Sequence, residues 1–180
     1  MKEVYAIVMA AGKGFHDSEH TEPYKFFEEK GLKIDVVTCY KAGDEEIKGA
    51  DGTPLSPTIK LADLRAENFD AIAVIGGYEG ASRLRRNPEL RRFLGEMMKQ
   101  RKIIGMICHG PWVACSNADL FTGRTMTCYS DMQDDLVHAG IIYREQPVVI
   151  DGNLITSPSP REAVLWAQTI YEELTSKLIP

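Results

Sequence analysis

Short aliphatic runs alternate with longer stretches of helical periodicity along the chain. Residues 3–9, 34–39, 70–75 and 102–107 are dominated by Val, Ile, Ala and Met, the pattern of strands buried on both faces of a parallel sheet. Between the first two, residues near 19–30 predict a helix that ends at Gly31, with Pro23 in its first turn, where a missing N–H is harmless. Residues 82–101 carry Leu84, Leu90, Phe93, Leu94 and Met97 at helical spacing and predict one long helix. A helix is expected from about Pro111 to Ala118, a fifth strand over 124–128 and a short helix over 130–139. Two short strands over 141–150, a tight turn at Asp151-Gly152, the strand Leu154-Ile155-Thr156 and a helix over 160–175 complete the pattern. Residues 41–58 are rich in Gly, Pro and Asp, and the turn signal Ala50-Asp51-Gly52 suits a short hairpin.

Repeated β and α units predict an α/β chain, a flavodoxin-like three-layer sandwich with a mostly parallel sheet, forming one domain over 1–180. In that strand order the first strand lies beside the third, with the fourth next to it. Ligands of such sheets collect beyond the carboxyl ends of the strands. The loops after those three strands hold His16–His20, Gly76-Gly77 and Cys108-His109, so the unusual chemistry is expected on one edge.

Composition narrows the classes. With 180 residues, 44% hydrophobic and 26% charged, the chain reads as globular with a sizeable core. A net charge of −5 argues against nucleic acid as a partner. No apolar stretch reaches the length of a membrane span, and no signal peptide is visible. Cys39, Cys108, Cys115 and Cys128 are widely spaced, which suggests free thiols in a reducing compartment and a cytoplasmic location.

Cys108 sits between the run Ile103-Ile104-Gly105-Met106-Ile107 and a helix that starts near Pro111. A strand-to-helix elbow of this kind exposes a nucleophile, with Gly-x-Ser-x-Gly as its best-known form. Gly105 lies one residue too early for that spacing. A helix N-terminus lowers a thiol pKa and favours the reactive thiolate, whereas a buried structural cysteine would be inert. Cys39, Cys115 and Cys128 read as such core residues. Gly76-Gly77 offers backbone N–H groups that could form an oxyanion hole with the N–H of His109. His109 itself is a candidate base or donor, although sequence neighbours rarely face one another. His16-Asp17-Ser18-Glu19-His20 matches the His-x-x-Glu-His zinc pattern. A zinc site would need one helix carrying both histidines on one face, and no third ligand stands out. No metal is therefore expected, and Glu19 reaching across to Cys108 is the alternative. Gly12-Lys13-Gly14 lacks the spacing of a phosphate loop. Arg83, Arg85, Arg86, Arg91 and Arg92 read as a solvated helix face.

Taken together, these motifs resemble the ThiJ/PfpI family, within the class I glutamine amidotransferase-like superfamily. The match runs through Gly14–Glu19 with Pro23, and through Ile75-Gly76-Gly77, where Ile75 replaces a proline. It continues through Ile107-Cys108-His109-Gly110-Pro111, then Tyr129, Asp134-Asp135 and Ala139-Gly140, and finally Val149–Ser157. The resemblance implies Cys108 as nucleophile, Glu19 as a protonated acid on its sulfur and His109 as partner histidine. Gly77 and His109 would supply oxyanion N–H groups, and Tyr129 would line the pocket. Protease-like members place a glutamate a few residues after the glycine pair, reaching the histidine of an adjacent subunit. That position here is Ala81, with Glu79 two residues early, which weakens a peptidase triad.

The expected function is a cysteine-dependent enzyme of small reactive carbonyls, glyoxalase- or deglycase-like, with Glu19 or His109 moving protons. No cofactor is required. A PfpI-type peptidase or amidase is the close rival, and a redox-responsive stress protein that oxidises Cys108 is a rival of another class. Partners are a small electrophile or a peptide, and a second copy of the chain in a homodimer or higher oligomer, with no nucleic acid or membrane. Loops 41–58 and 129–134 are expected to shape the pocket.

Overall fold

Strand β1 (Ala6–Gly12) is buried along nearly its whole length and lies second from one edge of a six-stranded sheet. The computed structural model describes residues 4–41 and 45–176. Residue 3, expected in the first strand, and residues 42–44, within the expected hairpin segment, lie outside the described residues. In chain order β1 is followed by α1 (Asp17–Glu29), β2 (Lys33–Cys39), the short strands β3 (Ile47–Lys48) and β4 (Pro54–Leu55), and β5 (Ala71–Val74). Then come α2 (Tyr78–Leu84), α3 (Pro88–Lys99), β6 (Ile103–Ile107), α4 (Trp112–Cys115), α5 (Ala118–Phe121) and β7 (Thr125–Met126). The remaining elements are α6 (Gln133–His138), β8 (Ile142–Tyr143), β9 (Val149–Asp151), β10 (Leu154–Ser157) and α7 (Ala163–Ser176).

The sheet order is β2-β1-β5-β6-β10-β9, parallel except for the edge strand β9. This is the flavodoxin-like α/β architecture, with the first, third and fourth long strands side by side. Register brings the carboxyl ends level: Ala10 pairs with Val74, Val74 with Met106, and Ser157 with Ile107. The loops that follow these strands therefore share one edge. Strand alternation splits the core into two layers. Val8, Ala10, Ile72, Val74, Ile104 and Met106 pack with α2, α3 and α4, while Ile7, Met9, Ala73 and Ile107 pack with α1 and α7.

Several elements depart from expectation. The helix expected over 82–101 is two helices, because Asn87-Pro88 starts a new one. The Asn87 side chain accepts from Leu90 N at 2.9 Å, and proline at the first turn has no N–H to continue the preceding helix. The arginines there are not merely solvated. Arg91 binds Asn117 and Asp119 at 2.6 and 2.7 Å, Arg92 binds Glu96 at 2.6 Å, and Arg85 binds Ser116 at 2.7 Å. The helix expected over 111–118 is only Trp112–Cys115, and a second short helix starts at Ala118. The expected fifth strand is only β7, and it pairs with β8 outside the main sheet. Pro23 lies inside α1, which starts two residues earlier than the sequence suggested.

Residues 47–55 form the expected hairpin, and Asp17 anchors it. Its buried carboxylate accepts from Asp51 N at 2.8 Å and Thr53 N at 2.9 Å. Burial works to raise its pKa, but these hydrogen bonds and the Thr53 hydroxyl prevail and hold it below the ordinary value. Asp17→Ala should cost about 1–2 kcal/mol in thermal or urea unfolding, because two partly buried N–H groups lose a charged acceptor. The Asp17 contribution belongs to pH above the unfolded carboxylate pKa and fades as acid protonates the folded form. An Asp17→Ala protein as stable as wild type at pH 7, with the same acid sensitivity, would sink this account.

Candidate active site

Between Ile107 at the end of β6 and Trp112 at the start of α4, Cys108 has φ +58°, in the left-handed region that side chains avoid. Backbone contacts on both sides hold it there. Cys108 N donates to Ser157 O on β10 at 2.9 Å, and Tyr129 N donates to Cys108 O at 2.9 Å. Gly110 closes the turn, its N–H donating to Ile107 O at 2.7 Å. A Cβ there would stand 2.8 Å from the carbonyl oxygens of Ile107 and Val74. Gly105 serves another purpose. Its Cβ would stand 2.6 Å from Ile170 Cδ1 and 2.9 Å from Trp166 Cζ2, so it lets α7 pack closely on β6. The offset glycine is thus a packing feature and not part of the elbow.

Glu19, on α1, is fully buried, and its Oε2 accepts from Gly76 N at 2.8 Å. A side chain at Gly76 has no room, since a Cβ would stand 2.6 Å from that oxygen and 2.9 Å from Cys108 Cβ. The Gly76 N–H, expected as an oxyanion donor, is therefore committed to Glu19. The backbone N–H groups directed at the Cys108 sulfur are those of Gly77 and His109. Burial pushes the Glu19 carboxyl up to about 8, against the pull of the Cys108 thiol and the Gly76 N–H. Burial also pushes the Cys108 thiol up, and an ionised Glu19 pushes it further, while Gly77 and His109 pull it back. The two groups compete for protons, because two adjacent buried anions repel. Oε1 of Glu19 has no conventional hydrogen-bond partner, which leaves the sulfur as the group its proton can serve.

His109 does face its neighbour. Nδ1 lies 3.4 Å from Cys108 Sγ, because the two residues span a sharp turn and not a regular helix. On the far side of the ring, Nε2 lies 2.9 Å from Oδ1 of Asp131, in the helical turn 130–132. With Asp131 accepting from Nε2–H, Nδ1 keeps its lone pair toward the thiol. The ring stacks on Tyr129 at 4.9 Å and meets Tyr78 edge-on at 5.7 Å. Ala81 is fully buried and cannot serve as the missing acid, and Glu79 pairs with Arg83 at 3.0 Å. The described residues place an acid of the same chain where the resemblance implied one from another subunit.

A cleft of about 510 Å³ opens over this group, lined by His16, Gly77, Tyr78, Tyr129 and residues 159–161 as well as by Cys108 and His109. A second cavity of about 470 Å³ shares Tyr129, Ser159 and Arg161 with it. None of the described residues of 41–58 lines the cleft, contrary to expectation. The histidine pair of the zinc-like motif is divided. His16 borders the cleft, with Nδ1 3.2 Å from Ser18 Oγ, whereas His20 is buried among Phe15 and Tyr24. Burial lowers the His20 pKa to about 4 and keeps it neutral, despite Asp17 nearby. Among the described residues no group of three His, Cys, Asp or Glu side chains is placed to hold a metal. No helix among them is long and apolar enough to cross a membrane.

Asp131, Tyr78 and Arg161 were missed from sequence. Arg161 had a signal, since Ser157–Pro160 leaves the carboxyl end of a parallel strand, the edge where sites form. Asp131 had none beyond lying two residues past Tyr129.

The model of the DJ-1/PfpI family matches residues 5–173. A putative cysteine protease, YraA of Bacillus subtilis, is 33% identical over 146 residues, which span 81% of this chain and 84% of that protein. The deglycase PfpI of Pyrococcus furiosus is 28% identical over 168 residues, covering 93% of this chain and 98% of that protein. The crystal structure of Drosophila melanogaster DJ-1beta is similar with TM-score 0.87 and 26% identity, covering 95% of this chain and 90% of that one.

Proposed function

Given that the chain belongs to the DJ-1/PfpI family, we propose that it is an enzyme in which the Cys108 thiolate adds to a reactive carbonyl. That carbonyl is free in a 2-oxoaldehyde or carried as its adduct on an amine. One observation carries the reading: an acid, an imidazole and two N–H groups surround a single sulfur beside an open cleft. His109 Nδ1 takes the thiol proton, and Asp131 steadies the imidazolium that forms. Sulfur bonds to the carbonyl carbon, and the carbonyl π pair moves to oxygen, near the N–H groups of Gly77 and His109. Glu19, held as an acid at neutral pH by burial, is placed to supply a proton. With a 2-oxoaldehyde, a proton then leaves the sulfur-bearing carbon, the enediol is reprotonated at the neighbouring carbon, and water cleaves the thioester to a 2-hydroxy acid. Oxidation of one carbon balances reduction of the next, so no redox cofactor enters.

Relatives named deglycase and putative cysteine protease support an enzyme of this general kind. Asp131 favours a peptidase or amidase as the second reading, because it gives His109 the orientation that Ala81 cannot. Purified protein should be incubated separately with methylglyoxal, with methylglyoxal-treated arginine and with casein. Lactate formation or release of free arginine supports the carbonyl reading, and casein cleavage alone supports the second. No turnover of any of the three above buffer overturns both. Asp131→Asn should lower kcat about 10- to 100-fold with KM little changed, and Asp131→Glu should recover part of the loss. Unaltered kcat in Asp131→Asn would remove Asp131 from the mechanism.

A further inference from the structure

The nucleophile cleft has an uneven charge pattern. In a chain of net charge −5, none of the described residues that line it is a carboxylate, the Asp131 carboxylate standing behind the His109 ring, and Arg161 is the permanently charged side chain among them. The guanidinium of Arg161 makes no hydrogen bond or ion pair with the described residues. Its neighbour Glu162 makes no ion pair with it and accepts instead from the Ser159 hydroxyl at 2.5 Å. Glu145 and Glu162 belong to the wall of the second cavity, and Arg161 to the walls of both.

The backbone of Arg161 is also held in place. Its N–H donates to Ser159 Oγ at 3.3 Å, and Glu162 N donates to Ser159 O at 3.2 Å, fixing a helical turn ahead of α7. That turn follows directly on β10, whose Ser157 O receives the Cys108 N–H. The chain that anchors the elbow therefore also delivers the arginine to the cleft. A guanidinium left unpaired at the wall of a concave site is a receptor for a planar oxyanion, which it binds through paired N–H donors.

We propose that Arg161 is a specificity-determining residue that binds an anionic group, a carboxylate or a phosphate, on the substrate of Cys108. The substrate class is then an anionic carbonyl compound and not a neutral aldehyde. This rests on the reading of Cys108 as the nucleophile.

Alkylation tests the anion site without depending on turnover. Iodoacetate and iodoacetamide present the same carbon to the thiolate: the sulfur–carbon bond forms, the carbon–iodine bond breaks and iodide leaves. They differ in a carboxylate against a neutral amide. Rates at Cys108, followed by peptide mass mapping, should give an iodoacetate-to-iodoacetamide ratio about tenfold higher in wild type than in Arg161→Gln. Added salt should erode the difference, and Arg161→Lys should keep part of it. Protection of Cys108 by malonate but not by inorganic phosphate assigns a carboxylate, and the reverse assigns a phosphate. Equal ratios in wild type and Arg161→Gln overturn the anion site while leaving the nucleophile standing. If Cys108 resists both reagents while Cys115 reacts, the nucleophile reading fails and the anion site falls with it.

Discussion

Cys108→Ala is expected to lower turnover of the active substrate by at least about 10³-fold, with the protein still folded. Every step of the proposed reaction runs through a covalent bond to this sulfur, so no neighbouring group can take its place. Alanine keeps the same Cβ, and its backbone carries the same left-handed strain at φ +58°. The backbone clamps from Ser157 and Tyr129 do not involve the side chain either. Unfolding should therefore change far less than activity. The measurement is kcat/KM beside a thermal melt, with Cys39, Cys115 and Cys128 left intact as internal controls. Cys39 and Cys128 are buried, and none of the three lines the cleft over Cys108. Retention of full activity in Cys108→Ala would falsify the nucleophile assignment.

Glu19→Gln should remove a large pH dependence of stability. Burial raises the Glu19 pKa from 4.5 to about 8. Between those values the folded chain keeps a proton that the unfolded chain has released. Its favourable contribution is complete below the unfolded pKa and is lost as pH rises through about 8. The slope approaches about 1.4 kcal/mol of lost stability per pH unit. His20 works in the opposite direction over part of this range, because burial lowers its pKa from 6.5 to about 4. It gains stability as pH rises toward 6.5, so the clean window for Glu19 lies from 6.5 to 8. Glutamine stays neutral throughout and keeps an oxygen for the Gly76 N–H. Urea unfolding at several pH values should show wild type losing stability across that window and the variant staying nearly flat beside it. Parallel curves would mean that Glu19 is ionised in the folded protein and is not the acid proposed.

The two predictions draw on parts of the chain that differed in how readable they were. Cys108 was legible because strand, sharp turn and helix are local events, written in the aliphatic run 103–107 and in Pro111. Glu19 was legible only in combination. Its own segment also carried a zinc-like histidine pair, set aside for want of a third ligand, and the fold divides that pair by burying His20 among aromatic rings while Glu19 faces Gly76. The errors in the helices were local too. Asn87-Pro88 and Asn117 were available as break points, but apolar periodicity on either side ran through them. The strand over 124–128 was overread because a run of Thr, Met and Cys is strand-like without showing which sheet the segment joins.

By itself the sequence determined the alternation of β and α units, the identity of the parallel strands and the place of Cys108 at the end of one of them. These follow from side-chain periodicity, turn residues and the rule that loops beyond parallel strands make sites. Only the tertiary structure decided that Asp131 meets His109, that Gly76 serves Glu19 and not an oxyanion, and that Arg161 lines the cleft over Cys108 with no side-chain partner among the described residues. Those relations join residues far apart in the chain, and sheet order and register bring them together. No window of neighbouring residues carries that information.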